Sequence, residues 1–352
     1  MLDRLSIPII QGPMLGASTE AMVAAVSQAG GLGSLAASSL SPEALAMAAA
    51  NLRAAAGGRP FAINLFIQEP ANPSSADVAA AMARLASWRE RFGLPAQSLP
   101  NQWAEPFLPQ FAALVAAAPP VASFTFGILS TEQVGALRSA GSFVVGTATT
   151  AAEAKAWAAV GADAVCAQGL EAGGHRGTFL KDVSESLVGT LALVSTIRTA
   201  VDLPVIAAGG ITDGKAVAGA LAIGAAAAQV GTAYLLADES GISAPWRKAI
   251  ADVGDDATRL TRVFSGRFAR GIENAFMREM RAAEDDIPAY PVQNALTQEL
   301  RAAAAKAGSA DALSLWAGQS VALAKPGGAA EITDRLWREA QEALRQAADR
   351  WT

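Results

Sequence analysis

What most constrains the fold of this chain is one alternation, repeated along its first two thirds. Short apolar runs are separated by alanine-rich stretches of helical character. The runs fall at residues 7–11, 33–37, 61–65, 123–126, 143–147, 164–168, 205–208 and 228–232. Most are apolar throughout instead of alternating, which is the pattern of parallel strands covered by helices. Eight strand–helix units are what a closed barrel needs. The expected fold is therefore α/β, a (β/α)8 TIM barrel. A doubly wound open sheet is the alternative, but no feature marks a reversal of strand order. Helical segments are expected at 19–29, 131–140, 151–160 and 213–223. Ser41-Pro42-Glu43 places a capping serine before a proline at the first helical position. Thr131-Glu132 and Thr212-Asp213 are further candidate starts.

Two stretches exceed what a barrel crossover needs. Residues of about 68–120, rich in Pro and aromatics, read as a helical insertion. After Leu236 the repeat stops. The expected division is a barrel over 1–237, a small mostly helical domain on the substrate side over 238–325, and a C-terminal helix returning to the barrel within 326–352. The amphipathic segment 331–350 would bury Ile332, Leu336, Ala340 and Leu344.

Composition removes several function classes. A net charge of −5 with no basic stripe makes nucleic acid a poor partner. There is no apolar run of about 18 residues, so no membrane span is expected. No secretory leader is visible, and a cytoplasmic location follows as the expectation. One cysteine, Cys166, excludes an intrachain disulfide and reads as a packed thiol in the run ADAVCAQG. One histidine and one cysteine leave too few ligands for a transition-metal site, and no EF-hand loop appears. No metal is expected.

In a barrel the chemistry sits where strands end and helices begin. The first such loop carries Gly12-Pro13-Met14 and Gly16, a tight turn able to lie against a flat ring, or simply a turn. Asn64 is a lone amide within the apolar third strand, and a buried amide must find partners. Gly209-Gly210 follows the seventh run and Gly231-Thr232 the eighth. Glycines there let backbone N–H groups approach a phosphate at a helix start. The only histidine of the chain, His175, stands in VCAQGLEAGGHRGTF, with Gly173 and Gly174 before it, Gly177 after it, and Glu171 and Arg176 nearby. Histidine exchanges a proton near neutral pH. A flavin mononucleotide suits this arrangement, and the lack of a G-x-G-x-x-G fingerprint argues against a separate dinucleotide domain.

These stretches carry a resemblance. IPIIQGPMLG, FAINLF, VASFTFG, CAQGLEAGGHRGTF, PVIAAGGITDG and QVGTAYLLADES, with YPVQNALTQELR and LWAGQSVALA later, resemble the nitronate monooxygenases (formerly 2-nitropropane dioxygenases) of the first class. The resemblance runs from Ile7 to about Lys325. It implies non-covalent FMN, contacted by Pro13, Met14, Asn64, Gln168, Gly173, Gly210 and the run Gln229, Val230, Gly231, Thr232. Gly174 and Gly209 complete the two glycine pairs on that cofactor side. It implies that His175 faces the substrate, with Tyr290, Asn294, Trp316 and Gln319 nearby. The implied reaction oxidises an alkyl nitronate such as propionate 3-nitronate. One electron passes to FMN, and the semiquinone and substrate radical react with O2 to give a carbonyl compound plus nitrite or nitrate. His175 could supply a hydrogen bond or positive charge to a nitronate, or take the α proton of a nitroalkane. Some relatives carry F-H-F-G where this chain has SFTFG. The anion-binding role of that histidine is not carried to Thr125, which stays a substrate-side candidate. The rival within the same barrel superfamily is an NAD(P)H-dependent FMN enoyl-acyl carrier protein reductase or quinone reductase. A non-catalytic flavin-binding protein is the rival from another class. A homodimer is compatible with the tail domain, though no motif specifies it.

Overall fold

The computed structural model describes residues 1–351; Thr352, the last residue of the expected returning segment, lies outside the described residues. The strands are β1 Ile9–Gln11, β2 Gly33–Ala36, β3 Phe61–Phe66, β4 Val121–Thr125, β5 Phe143–Ala148, β6 Ala164–Gln168, β7 Gly174–His175, β8 Val205–Ala208, β9 Ala227–Val230, β10 Thr258–Thr261 and β11 Ala269–Ile272. Eight of them run parallel in the order β1-β9-β8-β6-β5-β4-β3-β2. The two ends meet through a parallel bridge between Ile10 and Leu32. There Gln11 N donates to Leu32 O and Leu32 N to Ile9 O, each at 2.9 Å. The sheet is thus closed, and the expected (β/α)8 barrel is what the chain forms.

The reason lies in two layers of apolar side chains. Ile10, Leu32, Ala62, Val121, Val145, Cys166, Ile206 and Ala227 fill the barrel interior, with Leu2 packed among them. Burial pushes the Cys166 thiol up to about 12, so it stays protonated and inert. The opposite strand faces pack on the helices, with Trp157 fully buried between them. Its Nε1 donates to Thr147 O at 3.1 Å. A Cβ at Gly146 would lie 2.0 Å from that indole, so the strand needs glycine there.

Helix starts follow the capping rule with small shifts. Ser41 caps as expected, with Pro42 at the first turn. The caps of the helices Thr131–Ser139 and Gly214–Ala222 are Ser130, in a capping box with Gln133, and Asp213, not Thr131 and Thr212. The Thr212 hydroxyl instead meets Ser320 Oγ at 2.6 Å. The helix Ala329–Trp351 closes the ring against the helices Gly214–Ala222 and Glu20–Gln28. It buries Ile332, Leu336 and Ala340. Leu344, expected on the same buried stripe, is 37% exposed, because the helix beyond Ala343 is almost wholly exposed and covers no core.

A second apolar core lies beside the barrel. Val78, Leu85 and Trp88 of the inserted helix Ser75–Arg91 pack with Phe264, Phe276, Leu296 and Leu300. Ion pairs at the rim of this contact are Arg89–Glu299 at 2.8 Å and Arg91–Glu279 at 2.9 Å. The segment after the barrel also contributes a hairpin, β10 with β11, and β7 adds to its edge in antiparallel register, with Ala269 opposite His175. The loop bearing the lone histidine is therefore strand-paired on one side. Among the described residues no helix is long and apolar enough to cross a membrane. Nor do they hold any group of three or more His, Cys, Asp or Glu side chains that could bind a metal.

Candidate active site

The loops at the C-terminal ends of β1, β6, β8 and β9 converge. Gly12 N donates to Val230 O at 2.8 Å. The sulfur of Met14 lies 3.6 Å from where a Cβ of Gly231 would be, and Gly12 abuts the Gln229 side chain. Pro13 sits between Gly12 and Met14 in the same turn. Glu171 accepts from Thr190 N and Thr190 Oγ1, tying its loop to the start of the next helix. Gly209 and Gly210 have φ of +111° and +70°, a conformation that favours glycine. Around Gly174, with φ of +72°, a Cβ would meet nothing within 4 Å. Open space thus lies beside Gly174, while Gly210 faces the Glu171 side chain and Gly231 the Met14 sulfur.

The tail closes this end. Gly318 N donates to Thr232 Oγ1 at 3.0 Å, and Gln319 N to Glu171 O at 3.0 Å. A Cβ at Gly173 would strike Gly318 N at 2.5 Å. The backbone of Gln319 therefore lies against the glycine loops, whereas Tyr290 and Trp316 lie against His175. Asn64, buried in β3, donates to Ser123 Oγ at 3.1 Å and reaches Thr125 Oγ1 at 3.5 Å, with Thr147 Oγ1 a further 3.3 Å on. Thr125 thus belongs to a hydroxyl–amide network inside the barrel mouth. Gln168 clamps the histidine loop: its Nε2 donates to His175 O, and its Oε1 accepts from Gly177 N and Arg176 Nη1.

His175 stands in an aromatic cage. Its ring centroid lies 5.5 Å from Trp316, 5.6 Å from Phe126, 5.7 Å from Tyr290 and 6.3 Å from Phe66. Phe126 takes φ of +80°, rare for a bulky side chain, and strain of this kind concentrates at functional sites. The His175 Nε2 is 2.8 Å from Ser265 Oγ. The Ser265 hydroxyl proton goes to Arg267 O at 3.0 Å, so its oxygen accepts from Nε2–H. The network assigns the tautomer and leaves the lone pair on Nδ1. Burial, then the charges of Arg267 and Arg301, push the imidazole down to about 3. The neutral imidazole is favoured at pH 7, with Nε2–H engaged by Ser265 and Nδ1 without a partner among the described residues. Burial lowers Arg267 and Arg301 to about 10, and both remain cationic. Arg301 Nη2 donates to Asn294 O and Oδ1, which turns Asn294 toward the arginine.

A cavity of about 1030 Å3 touches this cluster: Phe126, Arg267 and Tyr290 line it together with Glu69, Asp77, Asp285 and Asp286, while His175 lies behind them and does not line it. Ser265, Arg267, Arg301 and the Phe66–Phe126 pair escaped the sequence reading. The run Ser-Gly-Arg between two short β-like segments was the available signal.

Solved structures of similar fold define the class. The chain superposes on nitroalkane oxidase from Streptomyces ansochromogenes with a TM-score of 0.91, at 41% identity over 99% of each chain. FabK from Thermotoga maritima follows the same path with a TM-score of 0.75 and 27% identity, over 99% of this chain and 97% of that one. The protein is an oxidoreductase of the flavin-dependent barrel group.

Sequence narrows it further. The family model for nitronate monooxygenase matches residues 2–339. A probable nitronate monooxygenase of Staphylococcus aureus (strain Newman) is 39% identical over 321 residues, 91% of this chain and 90% of that protein. The chain belongs to the nitronate monooxygenase family.

Proposed function

We propose that the chain is an FMN-dependent nitronate monooxygenase that oxidises small alkyl nitronates with O2 to carbonyl compounds plus nitrite or nitrate. The observation that carries this reading is a cationic side chain, Arg267, in the lining of the cavity next to the cage around His175. The lining also includes four carboxylates, at Glu69, Asp77, Asp285 and Asp286. The other arginine of the lining, Arg84, is spent on Asp286 at 3.7 Å. An anionic nitronate is attracted by Arg267, the cationic lining residue that has no ion-pair partner among the described residues.

FMN would be held by Pro13 and Met14, by Asn64, and by the backbone of Gly173, Gly174, Gly209, Gly210, Gly231 and Thr232, flanked by Gln168, Gln229 and Val230. The bare space at Gly174 and the positive φ of Gly209 and Gly210 suit a phosphate approached by N–H groups. When bound, FMN supplies the electron acceptor and the oxygen-reactive centre. The chain's own residues do the rest. His175 Nδ1 takes the α proton when the substrate arrives as a neutral nitroalkane. Tyr290, Trp316 and Phe126 exclude water around it. On this reading residues 1–237 carry the flavin and 238–325 the substrate side.

The purified yellow protein should consume O2 and release nitrite or nitrate with propionate 3-nitronate, and its flavin should resist anaerobic bleaching by NADH or NADPH. Bleaching by either nucleotide without nitronate turnover would move the chain to the reductase reading. Gly210→Ala tests the cradle. It forces a side chain into φ of +70° and sets a Cβ 3.1 Å from Glu171 Cβ. The Kd for FMN, read from quenching of flavin fluorescence, should rise about tenfold. An unchanged Kd would remove the phosphate from that loop.

A further inference from the structure

We propose that Arg267, with the Tyr290 hydroxyl beside it, forms the anion subsite that recognises the substrate's negative charge where the cavity meets Phe126. The inference rests on the nitronate reading above and names the residue that reading lacks.

Four arginines lie near the histidine loop, and their surroundings separate them. Arg176 is fully buried and donates to the carbonyls of Gln168, Gly169 and Ser186. Arg270 reaches Leu170 O and Thr258 Oγ1. Arg301 is turned to Asn294. Of the four only Arg267 lines the cavity. It sits in the turn between β10 and β11, after Gly266 at φ of +85°. Its guanidinium carbon lies 4.0 Å from the centre of the Phe126 ring. Nε donates to Arg176 O at 3.0 Å and Nη2 to Thr178 O. These two carbonyls and the ring fix the plane of the fork. Among the described residues, Arg267 has no carboxylate partner and Nη1 no hydrogen-bond acceptor.

The guanidinium feels the Glu153 carboxylate across the Thr178 loop but makes no ion pair with it, so its cavity side is left for an anion to complete. The Tyr290 hydroxyl is the second donor available. Its ring stands 5.5 Å from Phe126 and 5.7 Å from His175. No hydrogen bond engages its oxygen among the described residues. The subsite therefore offers a guanidinium edge and a phenol to two oxygens on one planar group, the shape of a nitronate. It also accounts for Thr125: with a fixed arginine across the mouth, strand β4 needs no charged side chain. The charged or titratable groups around His175 are Arg267, Arg301 and Tyr290; Ser265 is a neutral partner.

The test uses flavin-loaded wild type, Arg267→Gln and Arg267→Lys. Nitrate, planar and anionic, is titrated first, with the flavin absorbance as readout and no turnover needed. Wild type should show saturable binding, weakened on the order of 30-fold in the Gln variant and partly restored by Lys. In steady state, KM for ethyl nitronate should rise on the order of 30-fold in the Gln variant, while KM for neutral nitroethane changes less than about threefold. The acid limb of nitroethane turnover should also move upward, because one of the charges opposing protonation of His175 is gone. Equal effects on both substrates, or nitrate that does not compete with nitronate in wild type, would overturn the assignment. If Arg267→Gln loses its flavin, that wild-type competition decides. A wild type inert to nitronates and bleached by NADH would instead refute the function above, a separate outcome.

Discussion

His175→Asn is expected to lower kcat/KM for neutral nitroethane on the order of 1000-fold, while ethyl nitronate stays within about tenfold of wild type. The asymmetry follows from which proton must move. Nitroethane has to lose its α proton before oxidation, and a nitronate already has. In the wild type Nε2–H is given to Ser265 and the lone pair sits on Nδ1. Asparagine can keep a donor for Ser265 but offers no comparable base. The low basicity of this imidazole, about 3, is set by burial first and by Arg267 and Arg301 next. A base so weak would not ordinarily match a carbon acid. The nitronate formed beside it is itself negative, however, and screens the arginines as the proton arrives, so basicity rises in step with the transfer. The neutral form persists below the usual histidine range. Nitroethane kcat/KM in the wild type should therefore stay flat as pH falls through 6.5 and decline only well below it. Flavin content should not change in the variant, since the glycine cradle lies elsewhere. Equal loss on both substrates, or an acid limb near 6.5, would remove His175 as a free neutral base.

The barrel was legible because strands buried on both faces read as unbroken apolar runs, and eight of them closed in order. Their ends were less so. The fourth strand begins at Val121 and stops before Phe126, whose left-handed backbone no residue pattern announces. The glycine loops were legible because few residues other than glycine adopt such φ, and His175 because it is unique. What surrounds His175 was not. Ser265 and Arg267 lie some 90 positions along the chain, and they arrive through a hairpin inside a tail that read as helical. Periodicity reports which face is buried, not which distant edge it meets. Glu153 was hidden differently. In an alanine-rich helix it looks like a solvated carboxylate, yet it is fully buried.

That residue carries the second large effect. Glu153→Gln should destabilise the protein by about 2–4 kcal/mol and raise KM for ethyl nitronate several-fold. One carboxylate oxygen accepts from Thr149 N and Thr149 Oγ1. The other accepts from Thr178 Oγ1, Phe179 N and Leu180 N. Every neighbour is a donor. An amide nitrogen must face one of the two sets, leaving donors opposed whichever way it is turned. Burial alone would raise this carboxyl, but the donors outweigh it and hold it below the ordinary range. A depressed carboxyl contributes stability that is complete above its unfolded value and is lost as pH falls through the folded one. The gap between wild type and variant in urea midpoint should therefore be full at pH 7 and narrow below about pH 4. The catalytic cost follows from position: Thr178 O is one of the two carbonyls that orient Arg267. A loop released at Thr178 frees the guanidinium to turn, so nitronate binding should weaken while proton removal by His175, anchored through Ser265, is spared. Equal urea midpoints at neutral pH would show that the carboxylate is replaceable. A stability loss with unchanged nitronate KM would show that the loop does not position Arg267.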